Sequence, residues 1–279
     1  MPLQFSRRLY ATILGLMAGL LAAAPASAQY QPRPLNDPAT GEKYHIEAAA
    51  SLWFPGASIL LSSESLGIPG TQIDFRHDLG LTDRRLPALE LQLRPARSHK
   101  FRFEYIPIDF TQTAALPARI IFNGQLYRAG LPVESTLDWK AFRFAYEYDF
   151  IVKNQGFVGV VGELKYTNVT ATLAAPAVAL NEFDHAQAPI PAIGGIGRFY
   201  VVPNISITGE LTAFKLPNNV VKDASGHYVD FDVYGTLNFN DNVGVKAGYR
   251  SLDLGYAFKT TDAGTFTLKG LYVGAVLRY

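Results

Sequence analysis

Five histidines, His45, His77, His99, His185 and His227, are the side chains whose protons exchange near neutral pH. Three have a carboxylate close in sequence: His77 beside Asp78, His185 beside Asp184, and His227 near Asp223 and Ser225. A carboxylate that orients an imidazole equips it for general-base work. Adjacency in sequence does not create that geometry, so each is expected to be a solvated loop histidine. Their spacing matches no metal-ligand pattern. The absence of cysteine excludes thiolate metal sites, disulfides and a lipoprotein anchor. The reading is of a chain with no enzyme activity, no metal and no cofactor.

A second set of polar residues is more regular. Within residues 135–152, Phe142, Phe144, Tyr146, Tyr148 and Phe150 share one parity, while Arg143, Glu147 and Asp149 share the other. Further on, Val229, Phe231, Val233, Leu237 and Phe239 alternate with Asp230, Asp232, Tyr234, Thr236 and Asn238. Successive residues of a strand face opposite sides, so each segment has one apolar and one polar face.

Over the whole chain the polar face collects Glu47, Glu90, Arg102, Glu104, Arg143, Glu147, Glu163, Lys165, Arg198, Glu210, Asp230, Asp232, Lys246 and Arg250. The signs are mixed. If these strands close a narrow barrel, that face is the lumen, which side chains can fill. An isolated buried ion is very costly, so the charges must be paired or hydrated. The expectation is a lumen plugged by paired charges, in a protein with a structural or surface-binding role. A narrow channel for small solutes is the alternative, although the single-sign run that would favour one is missing.

The elements that position these faces follow from the same alternation. Strands are expected near residues 43–54, 84–94, 99–111, 135–152, 157–172, 190–202, 205–216, 227–239, 243–258 and 265–279. Four connections are short and rich in Pro, Asn, Asp, Gly or Ser, at 95–98, 153–156, 203–204 and 240–242. The others are mostly long: 55–83, 112–134, 174–189 and 217–226. Short periplasmic turns and longer outer loops are the asymmetry of outer-membrane barrels. The fold class predicted is all-β, a transmembrane antiparallel up-and-down barrel of ten strands, with eight as the alternative. Closing the sheet satisfies every backbone donor and acceptor, which a bilayer requires.

Both ends agree. Arg7 and Arg8 precede an apolar run at residues 9–24, and Ala26, Ser27 and Ala28 offer a cleavage site before Gln29, the layout of a secretory signal peptide. The domains expected are a signal peptide at 1–28, a periplasmic lead-in at 29–42 and a barrel at 43–279. Removing residues 1–28 takes two arginines and no acid, leaving 23 basic against 24 acidic residues. That near-neutral balance argues against nucleic acid. The 15 Tyr and 18 Phe suit aromatic girdles at the two membrane interfaces. At the other end Leu271, Val273, Ala275, Leu277 and Tyr279 form one apolar face up to the last residue, the expected signal for the barrel-assembly machinery. Gly270, Tyr272, Gly274 and Arg278 then face inward.

The terminal stripe, Gly248-Tyr249-Arg250 and the alternating segment from Thr71 to Leu81, which could fold over the barrel mouth, resemble the superfamily of small bacterial outer-membrane β-barrel proteins. That resemblance implies a monomer in the Gram-negative outer membrane, surrounded by lipid and lipopolysaccharide. Two barrel enzyme groups mark a second alternative, an outer-rim hydrolase: omptin proteases with Asp and His, and lipid A deacylases with a His-Ser pair. The motif of neither is present.

Overall fold

The computed structural model describes residues 39–62, 70–216, 224–258 and 262–279. The expected signal peptide and most of the lead-in lie outside them. The strands are β1 (Ile46–Ser62), β2 (Ile73–Asp74), β3 (Leu86–Ala96), β4 (His99–Ala115), β5 (Ile120–Phe122), β6 (Gln125–Tyr127), β7 (Pro132–Lys153), β8 (Gly156–Ala175), β9 (Leu180–Val202), β10 (Ile205–Leu216), β11 (Ala224–Asn238), β12 (Val243–Phe258) and β13 (Asp262–Arg278). Ten of them, all but β2, β5 and β6, pair antiparallel with their neighbours. β13 closes on β1 in a register running from Glu47 opposite Arg278 to Ser62 opposite Ala263. The result is a closed ten-stranded barrel.

Several strands are about twice as long as a bilayer needs. β7, β8 and β9 have 22, 20 and 23 residues, whereas roughly 9–11 tilted residues span the hydrocarbon. The side-chain chemistry accounts for the excess. On the outward parity of β7, Glu134, Thr136, Asp138 and Lys140 give way to Phe142, Phe144, Tyr146, Tyr148 and Phe150. On the inward parity Val133, Leu137 and Trp139 give way to Arg143, Glu147 and Asp149. β8, β12 and β13 make the same exchange near Thr167, Arg250 and Lys269. The lower half is therefore apolar outside and polar inside. The upper half is the reverse, filled like the core of a water-soluble protein.

That upper core contains Trp53, Ile59, Leu137, Trp139, Tyr228, Leu254, Phe266 and Leu268, all buried. Trp139 meets Phe266 edge-on at 5.5 Å between ring centroids. The long connections close over it. β2 pairs with Leu60 and Leu61 of β1 and brings Ile73, Phe75, Leu79 and Leu81 inside. The β5–β6 hairpin lowers Ile120, Phe122 and Tyr127 into the top, where the Tyr127 hydroxyl donates to the Leu173 carbonyl at 2.8 Å.

Two expected loops are shorter than the sequence suggested. β9 begins at Leu180, not at 190, so only residues 176–179 separate it from β8. β1 runs on through Pro55 to Ser62, with Pro55 opposite Gly270. In β1 the extension is broken by Pro55 and Gly56, and in β9 the outward face mixes Phe183 and Pro189 with Asn181, His185 and Gln187 while Glu182 lies on the opposite parity, so the alternation has little contrast.

Candidate functional site

All fourteen charged residues assigned to the inward face point inward. Eleven charges in the lower barrel form one connected set of ion pairs. Arg143 from β7 reaches Glu163 at 2.5 Å and Glu104 at 3.7 Å, and also pairs with Glu210. Lys165 joins Glu163 at 3.0 Å and Asp230 at 2.6 Å. Arg250 joins Asp230 at 2.7 Å and Glu104 at 3.0 Å. The six residues Arg143, Glu163, Lys165, Asp230, Arg250 and Glu104 thus make a closed ring of alternating sign. From Arg143 the set continues through Glu210 to Arg102 at 2.6 Å, Glu147 at 3.1 Å, Lys100 at 2.5 Å and Asp149 at 2.8 Å.

Around the ring stand further pairs. Lys246 meets both oxygens of Glu90 at 2.6 Å. The Tyr272 hydroxyl donates to Asp232, 3.0 and 3.1 Å from its two oxygens. Between these groups, among the described residues, lie small cavities of about 40 Å³ and about 10 Å³. The larger lies among Glu47, Glu90, Arg102, Asp232 and Lys246.

The lower mouth, which carries the four short turns, is crossed by the end of the lead-in. Gly41 turns there at φ +84, where a Cβ would lie 2.8 Å from Arg278 Nη1. Its neighbours are tied to the turns: Thr40 N–H donates to the Pro203 carbonyl at 2.8 Å, and Asn238 Nδ2 donates to the Thr40 carbonyl at 2.7 Å. Glu42 then points into the barrel. It receives Arg198 Nη1 at 3.0 Å, the Tyr200 hydroxyl at 2.7 Å and Arg94 Nη1 at 3.2 Å. Burial alone would raise its carboxyl pKa, but Arg198, Tyr200, Lys100 and Arg94 outweigh that and hold it at about 2. Arg278 joins Glu47 at 2.5 Å and Asn238 at 2.8 Å.

Glu42, Arg94 and Lys100 were missing from the sequence-derived set, while Asp149 and Arg278 were placed on polar, inward faces without being counted among the lumen charges. Parity could have supplied Lys100, which shares a face with Arg102 and Glu104. Glu42 precedes the first strand and carries no periodic signal.

The histidines are dispersed. His45 Nδ1 lies 3.4 Å from the Arg94 carbonyl, and His99 Nδ1 lies 2.6 Å from the Tyr146 hydroxyl on the outer wall. His77 pairs with Asp78 at 2.9 Å in solvent, where the hydrogen bond and charge of Asp78 raise its pKa. His185 lies on β9, not in a loop, 3.0 Å from Asn168 Oδ1. His227 Nε2 meets Asp253 Oδ1 across two strands at 2.8 Å, and Thr267 donates to the other oxygen of Asp253 at 2.7 Å. The nearby acid suggested by sequence, Asp223, lies outside the described residues. Among the described residues no group of three or more His, Asp or Glu could hold a metal.

On the outer wall of β13, Leu271 and Tyr279 are 66% and 85% exposed, with Val273 and Leu277 between them. Ala275 shares their parity, and Tyr272, Val276 and Arg278 are buried on the other side. Such a belt of exposed Leu, Val, Phe and Tyr around a closed sheet fits a hydrocarbon surrounding.

No protein-family model and no curated protein matches the sequence. Among solved structures, the outer membrane protease OmpT from Escherichia coli is similar over 88% of this chain and 100% of that one, at 8% identity and a TM-score of 0.50. Ail of Yersinia pestis gives 10% identity and a TM-score of 0.37, covering 84% of this chain and 99% of its own. Neisserial surface protein A gives 12% identity and a TM-score of 0.35, covering 84% and 97%. The likeness to OmpT is one of fold. Its apolar belt and short-turn mouth give the chain the form of a membrane-spanning β-barrel.

Proposed function

We propose that this protein is a closed, non-conducting barrel with a structural or surface-binding role, its lumen plugged by paired charges beneath an apolar core. The connected set of eleven ions supports this most directly. Five cations face six carboxylates within hydrogen-bonding or ion-pair distance, leaving no stretch of one sign to lead a solute through. The two cavities suit one to a few waters, since a water needs roughly 10–15 Å³. Above them the lumen is filled by Trp53, Trp139 and Phe266.

The loop segments folded over the top offer a rigid outer surface for a ligand or another cell. The lipid and lipopolysaccharide of the membrane, and the assembly machinery that reads the terminal stripe, are the partners this reading implies for a monomer. It makes the protein a non-enzyme. The test is planar-bilayer recording on refolded protein. No conductance at any voltage is expected; stable unitary steps would overturn the proposal.

One observation favours a second reading, a hydrolase on the outer wall. His227 and Asp253 are partly exposed, at 50% and 33% of the side chain, and sit just above the apolar belt. The carboxylate orients the imidazole, so the free ring nitrogen is available as a base toward water. Release of fatty acid from outer-leaflet lipid, abolished by His227→Ala, would establish this reading.

A further inference from the structure

The lower mouth holds a pocket that neither the ion network nor the belt accounts for. It encloses about 500 Å³, within the range of ligand sites, between the lead-in and the turns after β3 and β7. Val152 and Phe157 form an apolar wall, and Lys43, Arg94, Arg97 and Lys153 bring four cations to it. Its acidic side chain is already engaged: Glu42 is held by Arg94, Arg198 and Tyr200. The backbone oxygen of Tyr279 accepts the N–H groups of His45 and Ile46 at 2.7 and 2.9 Å. Lys43, Arg97 and Lys153 are exposed and form no ion pair with another described residue.

A second observation concerns Arg94. Only 7% of the residue is exposed, and its guanidinium is fixed by the carbonyls of Glu42 at 2.7 Å and Arg97 at 3.0 Å. Its Nε–H nevertheless has no acceptor. A buried donor without a partner is costly, so an acceptor brought within its reach would be favoured. A pocket with unpaired cations, an apolar wall and a spare buried donor matches a chain that carries carboxylates, an apolar side chain and backbone carbonyls together. An inorganic anion would use only the rim cations and leave the apolar wall and most of the volume unfilled.

We propose that this pocket binds a short acidic peptide segment of a periplasmic protein, with its carboxylates on Lys43, Arg97 and Lys153 and an apolar side chain against Val152 and Phe157. The inference rests on the orientation that places the short turns in the periplasm. It does not depend on whether the lumen conducts, which bilayer recording reads separately.

The test uses the refolded mature chain in detergent micelles and a pentapeptide of alternating glutamate and phenylalanine, carrying a neutral dye, followed by fluorescence anisotropy. Saturable binding is expected. It should weaken at least tenfold in the triple variant Lys43→Ala, Arg97→Ala, Lys153→Ala, and it should fall with added salt. A matched peptide with glutamine in place of glutamate should not bind. Because the three side chains are exposed, an unchanged circular dichroism spectrum and urea midpoint will separate lost binding from lost folding. The proposal is overturned if no saturable binding occurs, if the triple variant binds as well as the parent, or if the glutamine peptide binds equally. Complete displacement by millimolar inorganic phosphate would also overturn it, since the site would then hold a simple anion.

Discussion

Arg143→Met removes the one cation that belongs both to the closed ring and to the branch through Glu210. Three carboxylates lose a partner: Glu163, Glu104 and Glu210. Each keeps another, since Glu163 retains Lys165 at 3.0 Å, Glu104 retains Arg250 at 3.0 Å and Glu210 retains Arg102 at 2.6 Å. Breaking a buried pair by removing one partner costs about 3–5 kcal/mol. The remaining cations place this variant at the lower end, about 3 kcal/mol. With a urea slope of roughly 2–3 kcal/mol per molar, the unfolding midpoint should fall by about 1 M. The control is Arg84→Met, which breaks the exposed pair with Asp109, 46% and 69% exposed. Such pairs contribute about 0–1 kcal/mol, so its midpoint should barely move. Both are measured by urea titration of protein in lipid vesicles. If Arg143→Met shifts the midpoint no further than Arg84→Met, the buried network does not stabilise the barrel and the reasoning fails.

Three further outcomes are expected. Glu42 has a folded-state pKa of about 2 against an ordinary 4.5; a depressed carboxylate contributes stability above its unfolded pKa and loses it as pH falls through the folded one. That contribution is about 3 kcal/mol at neutral pH, fading between pH 4.5 and 2, so Glu42→Gln should lower the neutral midpoint and flatten the profile in that window. Trp139→Ala, deep in the upper core at 1% exposure, should cost about 3–5 kcal/mol, measured by urea titration, while leaving membrane insertion intact. Tyr279→Ser should reduce the amount of assembled barrel recovered from cell membranes while the purified chain still refolds in detergent; equal recovery would remove Tyr279 from the insertion signal.

The strand count and the inward face were legible because hydrocarbon outside and charge inside give alternation its greatest contrast. β10 and β12 occupy the ranges that alternation predicts, 205–216 and 243–258. Contrast fails above the membrane. Residues 180–189 of β9 alternate Asn, Phe, His, Gln and Pro with Leu, Glu, Asp and Ala, which reads as a loop until the neighbouring strand is known. The exchange of polarity within one strand was also written in β7, where Leu137 and Trp139 share a parity with Arg143 and Glu147. A search for one lipid-facing parity per strand passes over it, because the parity holds while the chemistry reverses. The ion pairs were beyond sequence altogether. Arg102 and Glu210 meet across the lumen from strands that are not neighbours, and Glu42 enters from outside any strand.

The most direct test of the barrel's layout is the level at which its outer wall changes character. The chain has no cysteine, so single substitutions can be labelled without background. Along β7, in lipid vesicles with the outer face exposed, a membrane-impermeant maleimide should react rapidly with Thr136→Cys and Asp138→Cys. It should not react with Phe144→Cys or Tyr146→Cys, which places the boundary between Lys140 and Phe142. Labelling of Phe144→Cys as fast as Asp138→Cys would contradict the account.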